Sequence, residues 1–336
     1  MTIFFLGFLF GAILQYAKLN RFDTISGLAI LKNFAVIKAI LVAIGVGAIL
    51  ISIEIGLGFA SYHTKPLILG GIMMGGLIFG TGMAILGYCP GTLPISLGEG
   101  SLDALIGILG GLVAGFLYTI LLPSIHGILG PDFGNITLRS SLAGNTTLFF
   151  ILVFLIAAIF IAFSLWIHRF EKIKDLKWLY AGIALAILNG IIFLTVVTDR
   201  IMGASTAYPY VSDLITGTTV NDYFFKIKGP GQWELIFLTG SFFSGLVLSV
   251  IRKDFKLVLI HQNWKKYKGD SKYKRIIWSF VGGFLIIIGA RMAGGCTSGH
   301  IISGGMQLAA SSLLFAFFVF TGLLVTGRLF YRTVKD

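Results

Sequence analysis

The feature that most constrains this chain is a series of nine apolar runs, most of them long enough to cross a lipid bilayer as a helix. About 20 helical residues span a hydrocarbon core that is about 30 Å thick. Of the 336 residues, 56% are hydrophobic and only 12% are charged, which argues against a soluble enzyme, a nucleic-acid-binding protein or a disordered scaffold. We therefore predict an all-α polytopic membrane protein with spans near 3–17, 39–59, 67–88, 101–122, 147–167, 178–198, 233–251, 276–293 and 308–327.

Two local patterns refine this prediction. No basic residue precedes the first run, whereas Lys18 and Arg21 follow it; this is the reverse of a secretory signal peptide and predicts a retained helix. The third run contains Gly80-Thr81-Gly82, which predicts a break within that span.

The 26 Lys and Arg residues are distributed unevenly along the chain. With nine spans, 20 of them fall on one side of the membrane, in segments 18–38, 168–177, 252–275 and 328–336. Five fall on the other side, and Arg291 lies within a span. Because cytoplasmic loops are enriched in Lys and Arg, this distribution predicts an external amino terminus and a cytoplasmic carboxyl terminus.

The two halves of the chain share one order of segments. Each half runs as a span, a polar segment, two spans, a Gly-rich segment and a final span. We predict a first repeat of four spans at 1–122, a linker with one span at 123–177, and a second repeat of four spans at 178–336. A linker with a single span inverts the second repeat, and inverted repeats with broken helices are typical of transporters.

Both cysteines lie in Gly-rich breaks at matching positions of the two halves. Cys89 belongs to Gly87-Tyr88-Cys89-Pro90-Gly91-Thr92, and Cys296 belongs to Gly294-Gly295-Cys296-Thr297-Ser298-Gly299-His300. Irregular backbone at membrane depth is tolerated where it lines a cavity or is buried in protein. The two loops should approach the midplane from opposite faces, where their thiols would suit a soft sulfur ligand. His300 could contact the substrate or only pack the loop.

Several charged residues lie close to these segments. Arg291 within a span is a functional candidate, although its side chain could instead extend to the membrane interface. Arg21 with Asp23, and Asp199 with Arg200, could each form a paired charge site or a solvated loop. Ser205 and Thr206 follow the second pair, and we expect the acidic residues Glu54, Glu99 and Asp103 at the interface.

Four segments resemble the YeeE/YedE family of bacterial sulfur-compound transporters: Arg21-Phe22 with Ser26-Gly27, Gly87-Tyr88-Cys89 with Gly98-Glu99-Gly100, 203–207, and Ala293-Gly294-Gly295-Cys296. The resemblance implies nine spanning helices and short re-entrant helices arranged as an hourglass in the inner membrane. It also implies cysteines that relay thiosulfate by weak hydrogen bonds. Tyr88 stands where the family often has Gly, and Asp23 stands where the thiosulfate transporters have a third cysteine.

We therefore expect uptake of a small sulfur-containing anion, thiosulfate first, without enzymatic activity. The transport path should include these residues: Cys89, Cys296, Asp23, Arg291, Ser205, Thr206, Gly87, Tyr88, Gly295, Thr297, Ser298 and His300. The alternatives are another species (sulfite, hydrosulfide, a persulfide or a selenium compound), a thiol-based membrane redox enzyme, or a structural scaffold.

No cofactor or nucleic acid is expected. No metal is expected either, because two cysteines 207 positions apart do not form a Cys-x-x-Cys metal site. The expected partners are the lipid bilayer and a cytoplasmic acceptor of the sulfurtransferase type. Loop 252–275, with Trp264 and Tyr267, could contact that acceptor or bind anionic lipid headgroups.

Overall fold

The computed structural model describes residues 1–142, 144–171 and 174–332. Over these ranges the chain is helical without β-strands, apart from three isolated β-bridges. A 3₁₀ turn occupies His126–Leu129, and a π-helix occupies Thr297–Gly304. The α-helices are α1 (Thr2–Tyr16), α2 (Phe22–Ala29), α3 (Ala35–Gly56), α4 (Leu69–Leu86), α5 (Leu93–Gly98), α6 (Leu102–Ile125), α7 (Leu138–Ser141), α8 (Thr146–Phe170), α9 (Lys177–Phe193), α10 (Ala207–Thr216), α11 (Asp222–Ile251), α12 (Gln262–Lys268), α13 (Lys272–Met292) and α14 (Ala310–Phe330).

Each predicted span overlaps a helix of at least 15 residues. Seven of these helices are long and apolar enough to cross a membrane, namely α3, α4, α6, α8, α11, α13 and α14. The remaining two, α1 and α9, have 15 and 17 residues, or roughly 23 and 26 Å at 1.5 Å per residue. The polytopic helical class is therefore confirmed, and the count of nine spans stays a prediction.

The predicted break at Gly80-Thr81-Gly82 is wrong, because α4 is continuous through it. A Cβ on Gly80 would lie 2.1 Å from the carbonyl oxygen of Val319 in α14, and one on Gly82 would lie 2.7 Å from the amide nitrogen of Ile286 in α13. These glycines therefore permit close packing of helices, as small residues do in membrane proteins.

The loops gather at two ends of the helix bundle. We call the end formed by 17–21, 252–261 and α12 the basic face; there Arg21 Nη2 lies 3.4 Å from Asp254 Oδ2. We call the end formed by 57–68, 130–137 and 194–200 the opposite face; there His63 Nε2 lies 3.0 Å from Asp199 Oδ1. The cytoplasmic location of the basic face stays a prediction.

The two halves share an order of long and short helices. The first half contains α1 to α6, and the second contains α9, α10, α11, α13, the π-helix and α14. Helix α1 packs on α11 while α9 packs on α3, and α4 packs on α14 while α13 packs on α6. An inverted repeat requires such an exchange of partners, and the repeat itself stays a prediction.

Candidate functional site

Each cysteine follows a glycine that ends or follows a long helix. Gly87 (φ +78°) comes directly after α4, and Gly294 (φ +77°) lies two residues after α13. Positive φ is readily adopted only by glycine, and a Cβ on Gly87 would also lie 2.2 Å from Cδ2 of Phe22. The irregular backbone predicted at both cysteines is therefore present.

Thr92 orders the first cysteine loop. Its Oγ1 accepts the backbone N–H of Cys89 at 2.8 Å, donates to the Cys89 carbonyl at 3.1 Å and lies 3.5 Å from Cys89 Sγ. The chain then enters α5, with Pro94 in its first turn. Cys89 is half-buried, and a hydroxyl group lies beside its thiol.

The second cysteine loop has a similar hydroxyl contact. Cys296 is buried, and its Sγ lies 3.3 Å from Ser298 Oγ. The π-helix begins at Thr297. A Cβ on Gly295 would lie 3.0 Å from Cδ2 of His300, so the glycine allows the loop to pass close to that imidazole.

His300 contacts its own loop and α14. Its Nε2 lies 2.7 Å from the carbonyl oxygen of Ala293, and its Nδ1 lies 3.1 Å from Ser312 Oγ. The imidazole is fully buried and packs on Phe315 with ring centroids 4.8 Å apart. Both nitrogens therefore have protein partners, which favours the packing role for His300.

A small cavity lies between the two cysteine loops. Its volume is about 50 Å³, and a single water molecule needs at least about 10–15 Å³, so the cavity holds only a few waters. Cys89 and Thr92 line it from the first loop, and Thr297 and Ser298 line it from the second. Cys296 does not line the cavity itself, but its Sγ contacts Ser298, which does. The remaining lining is apolar: Phe10, Leu14, Leu19, Ile25, Val36, Ala39, Ile40, Met83, Leu185 and Ile302.

Arg291 lies in the last turn of α13 and does not extend to solvent, since only 9% of its surface is exposed. Its Nε donates to the hydroxyl of Tyr223 at 2.9 Å. Its Nη1 lies 3.0 Å from Thr206 Oγ1 and 3.4 Å from Ser205 Oγ. The structure thus brings together three residues that the sequence singled out separately.

Glu234 is a further member of this site that sequence reasoning missed. Its Oε2 accepts the N–H groups of Thr206 and Ala207 at 2.5 and 3.2 Å, at the start of α10. A Cβ on Gly203 would lie 2.0 Å from Glu234 Oε1. The Gly-Ala-Ser-Thr segment is therefore shaped around this carboxylate, and a lone Glu at the depth of a span was the available signal.

A buried polar network adjoins the first cysteine loop on the side of the basic face. Tyr88 is fully buried; its hydroxyl lies 2.9 Å from His261 Nε2 and 3.3 Å from both carboxylate oxygens of Asp103. Asp103 is fully buried and pairs with Arg275. Asp103 is therefore buried in protein in the first turn of α6, and its position at the membrane interface stays a prediction.

Arg275 differs from its predicted position in a loop. It lies in α13 with no exposed surface and donates to the carbonyl oxygens of Ile85 and Leu86, at 3.2 and 2.8 Å. These are end carbonyls of α4, which lack partners within their own helix. Arg275 therefore stabilises the end of the helix that leads into Cys89.

A vestibule of about 520 Å³ opens at the basic face, with Asp23 in its wall. Asp23 Oδ1 accepts the backbone N–H of Asn263 at 2.7 Å, near the start of α12. Phe22 lines the vestibule, contacts Gly87 and stacks on His261 with centroids 5.1 Å apart. Phe22 thus lies between the vestibule and the first cysteine loop.

Neither predicted Arg–Asp pair forms within its own segment. Arg21 pairs with Asp254 instead of Asp23. Asp199 accepts hydrogen bonds from His63 and Ser61, which hold the pKa of its carboxyl below the ordinary value. Arg200 lies 5.8 Å from the ring centroid of Trp233. Arg21 and Asp199 therefore pair with residues of other loops that are distant in sequence but lie at the same face.

Trp264 does not form part of an exposed contact surface. It is fully buried, with the Arg275 guanidinium carbon 4.6 Å from its ring centroid. In the described ranges, no group of three or more His, Cys, Asp or Glu residues could hold a metal ion.

Comparisons with known proteins identify the family of the chain. A family profile described as Sulphur transport matches residues 22–325. The thiosulfate transporter TsuA of Spirochaeta thermophila is 26% identical over an alignment of 346 positions that covers 97% of each chain. The thiosulfate transporter TsuA of Escherichia coli is 23% identical over 322 positions, which cover 88% of this chain and 84% of the relative. With nearly its whole length matched, the chain belongs to the Sulphur transport (YeeE/YedE) family.

Proposed function

We propose that this chain imports a small sulfur-containing anion, thiosulfate first, through the bacterial inner membrane from the opposite face to the basic face. Its relatives carry the name thiosulfate transporter. The observation that carries the proposal is the meeting of the two cysteine loops at one small cavity with three hydroxyl groups in its wall. This orientation places the amino terminus outside and the carboxyl terminus in the cytoplasm.

The anion first meets Arg291. A guanidinium with hydroxyl partners can bind an oxyanion in a planar, bidentate manner. The hydroxyls of Ser205 and Thr206 can rotate to donate to that anion, because hydroxyl groups donate as well as accept. This site therefore supplies both the positive charge and the hydrogen bonds that an oxyanion loses when it leaves water.

The anion next passes between the two thiols. Cys296 with Ser298 receives it, and Cys89 with Thr92 passes it towards Asp23 and the vestibule. A thiol is a weak hydrogen-bond donor and a soft group, so it binds a terminal sulfur without holding it tightly. The path needs no covalent step.

The cavity is too small to form a continuous aqueous pore, so the loops must move during transport. Gly87 and Gly295 allow changes in backbone dihedral angles, as hinge positions require. Tyr88 connects the movement of the first loop to His261 at the basic face. Opening on one side while the other stays closed then gives alternating access.

Growth of a bacterial host that lacks its own thiosulfate uptake tests the proposal. With thiosulfate as the sulfur source, cells with the wild-type chain should grow, and cells with Cys89→Ala or Cys296→Ala should not. The matched controls are Cys89→Ser and Cys296→Ser, which retain a donor and should grow partly, with equal amounts of protein in the membrane. Growth of either Ala variant at the wild-type rate would contradict the relay.

The substrate is open to one specific alternative. Asp23 occupies the place of a family cysteine, and its carboxylate accepts an N–H of α12. A negative charge beside the exit disfavours a dianion more than a monoanion or a neutral species. The second candidate class is sulfite, hydrosulfide, a persulfide or a selenium compound, and within it the charge of Asp23 favours monoanions such as hydrosulfide and the protonated form of sulfite.

An acceptor of the sulfurtransferase class could receive the product at the vestibule. Lys18, Lys253 and Lys256 line this opening and would contact an acidic surface. Binding of anionic lipid headgroups is the alternative for these lysines. Cross-linking from a photoreactive group at Lys256 distinguishes an acceptor protein from lipid.

A further inference from the structure

Among the described residues, the fully buried Asp213 in α10 has no cationic partner. Its Oδ2 lies 3.0 Å from the hydroxyl of Thr119 in α6, and no described residue forms a hydrogen bond with its Oδ1. Within the described ranges, no Lys, Arg or His lies within ion-pair distance of it. The other deeply buried carboxylates differ, since Asp103 pairs with Arg275 and Glu234 accepts two backbone N–H groups.

A proton on Asp213 Oδ2 extends the line of hydrogen bonds through Thr119 to Gly115 and removes the negative charge from Oδ1, which has no partner among the described residues. The Thr119 hydroxyl has one hydrogen and two acceptors in range, the carbonyl oxygen of Gly115 at 3.2 Å and Asp213 Oδ2. A protonated Asp213 donates to Thr119, which then donates to Gly115. An ionised Asp213 takes that hydrogen from Gly115 and still leaves one charged oxygen unpaired, which is costly away from water.

Contacts of neighbouring side chains connect Asp213 both to the Arg291 site and to a cavity at the opposite face. Its partner Thr119 follows Tyr118 in α6, and the ring of Tyr118 packs on that of Tyr223 in α11, whose hydroxyl accepts from Arg291 Nε at 2.9 Å. The rings of Tyr118 and Tyr223 are 5.5 Å apart. Thr119 and Tyr223 also line a cavity of about 440 Å³ at the opposite face, together with Asp222.

We propose that Asp213 is a proton-binding site that couples uptake of the anion to entry of one proton. A proton passes from water in that cavity to a carboxylate oxygen of Asp213, forming one O–H bond. It leaves to water at the basic face when the anion is released, and no other bond changes. This inference rests on the proposed function, because it requires an anion at Arg291.

Coupling follows from charge. An anion at Arg291 makes loss of the proton from Asp213 less favourable, and by linkage the protonated protein binds the anion more tightly. A negative-inside potential excludes an anion about 50-fold per charge per 100 mV, so thiosulfate with two charges is excluded about 2,500-fold. One accompanying proton removes one charge and reduces that exclusion to about 50-fold.

Binding of thiosulfate to the purified full-length chain, measured by calorimetry as a function of pH, tests the linkage. For the wild type, Kd should increase with pH over the range in which Asp213 loses its proton. The slope should approach about tenfold per pH unit. Asp213→Asn should bind with the low-pH affinity at every pH, and Asp213→Glu should restore the dependence. An Asp213→Asn variant with the wild-type pH dependence would overturn the proposal.

Proton movement in proteoliposomes gives a test that needs no variant. A pH-sensitive dye inside vesicles that contain the wild-type protein should report acidification when thiosulfate is added to the outside solution. Thiosulfate entry without acidification would overturn the role of Asp213 and leave the proposed function intact. No thiosulfate entry at all would contradict the proposed function itself.

Discussion

Replacement of Arg275 by methionine should strongly destabilise the protein. Arg275 donates to Asp103 through Nε at 3.2 Å and through Nη2, and to the carbonyl oxygens of Ile85 and Leu86. Removing one partner of a buried ion pair costs about 3–5 kcal/mol, and Asp103 would keep only its contacts with Tyr88 and His261. Methionine retains much of the aliphatic volume, so the loss reports the polar contacts more than a cavity.

A double variant separates the charge from the carbonyl contacts. Arg275→Met with Asp103→Leu removes both charges but leaves the α4 carbonyls without donors. We expect it to be about 1–3 kcal/mol more stable than Arg275→Met alone, because the double variant also removes the buried carboxylate that has lost its ionic partner. The matched control is Lys274→Met, an exposed neighbour in the same helix, which should change stability by less than about 0.5 kcal/mol.

Equilibrium unfolding of the detergent-purified chain, followed by tryptophan fluorescence, measures these differences. Trp264 packs on the Arg275 guanidinium, so its emission should also shift in the folded variant. If Arg275→Met were as stable as Lys274→Met, the network would not stabilise the end of α4 as we have argued.

Three further substitutions test separate parts of the site. Gly203→Ala places a Cβ 2.0 Å from Glu234 Oε1 and should lower thiosulfate uptake at least tenfold. The control is Gly229→Ala, whose Cβ would have no described atom within 4 Å. Equal uptake by the two variants would refute the steric argument. Tyr88→Phe removes the hydroxyl bonded to His261 and Asp103 and should cost about 1–3 kcal/mol of stability, as measured by the same unfolding assay. Asp23→Cys should raise the ratio of thiosulfate to sulfite uptake in competition assays, and an unchanged ratio would place position 23 outside the path.

The sequence predicted features that depend on local pattern. Apolar runs locate the membrane helices because the bilayer imposes their length, and glycines beside Cys89 and Cys296 indicate irregular backbone. The start of α11 was missed by eleven residues, since α11 begins at Asp222 and the predicted span began at 233. Gly229 and Pro230 resemble helix breakers, but helix packing in membranes tolerates them.

Pairings between distant residues could not be predicted in this way. Arg275 was counted as a loop charge because sequence position does not show that Asp103, 172 positions earlier, lies opposite it. For the same reason, the sequence did not predict that Arg291 contacts Ser205 and Thr206, although each of these residues was singled out. Tertiary packing brings these side chains together, and no periodicity in the sequence encodes it.

Uptake of radiolabelled thiosulfate into proteoliposomes tests the central claim most directly. Purified wild-type protein should accumulate label above protein-free vesicles, with excess unlabelled thiosulfate abolishing the signal. Cys89→Ala and Cys296→Ala should each reduce uptake at least tenfold while unfolding at wild-type denaturant concentrations. Wild-type uptake by either variant would contradict passage of the anion between the two cysteine loops.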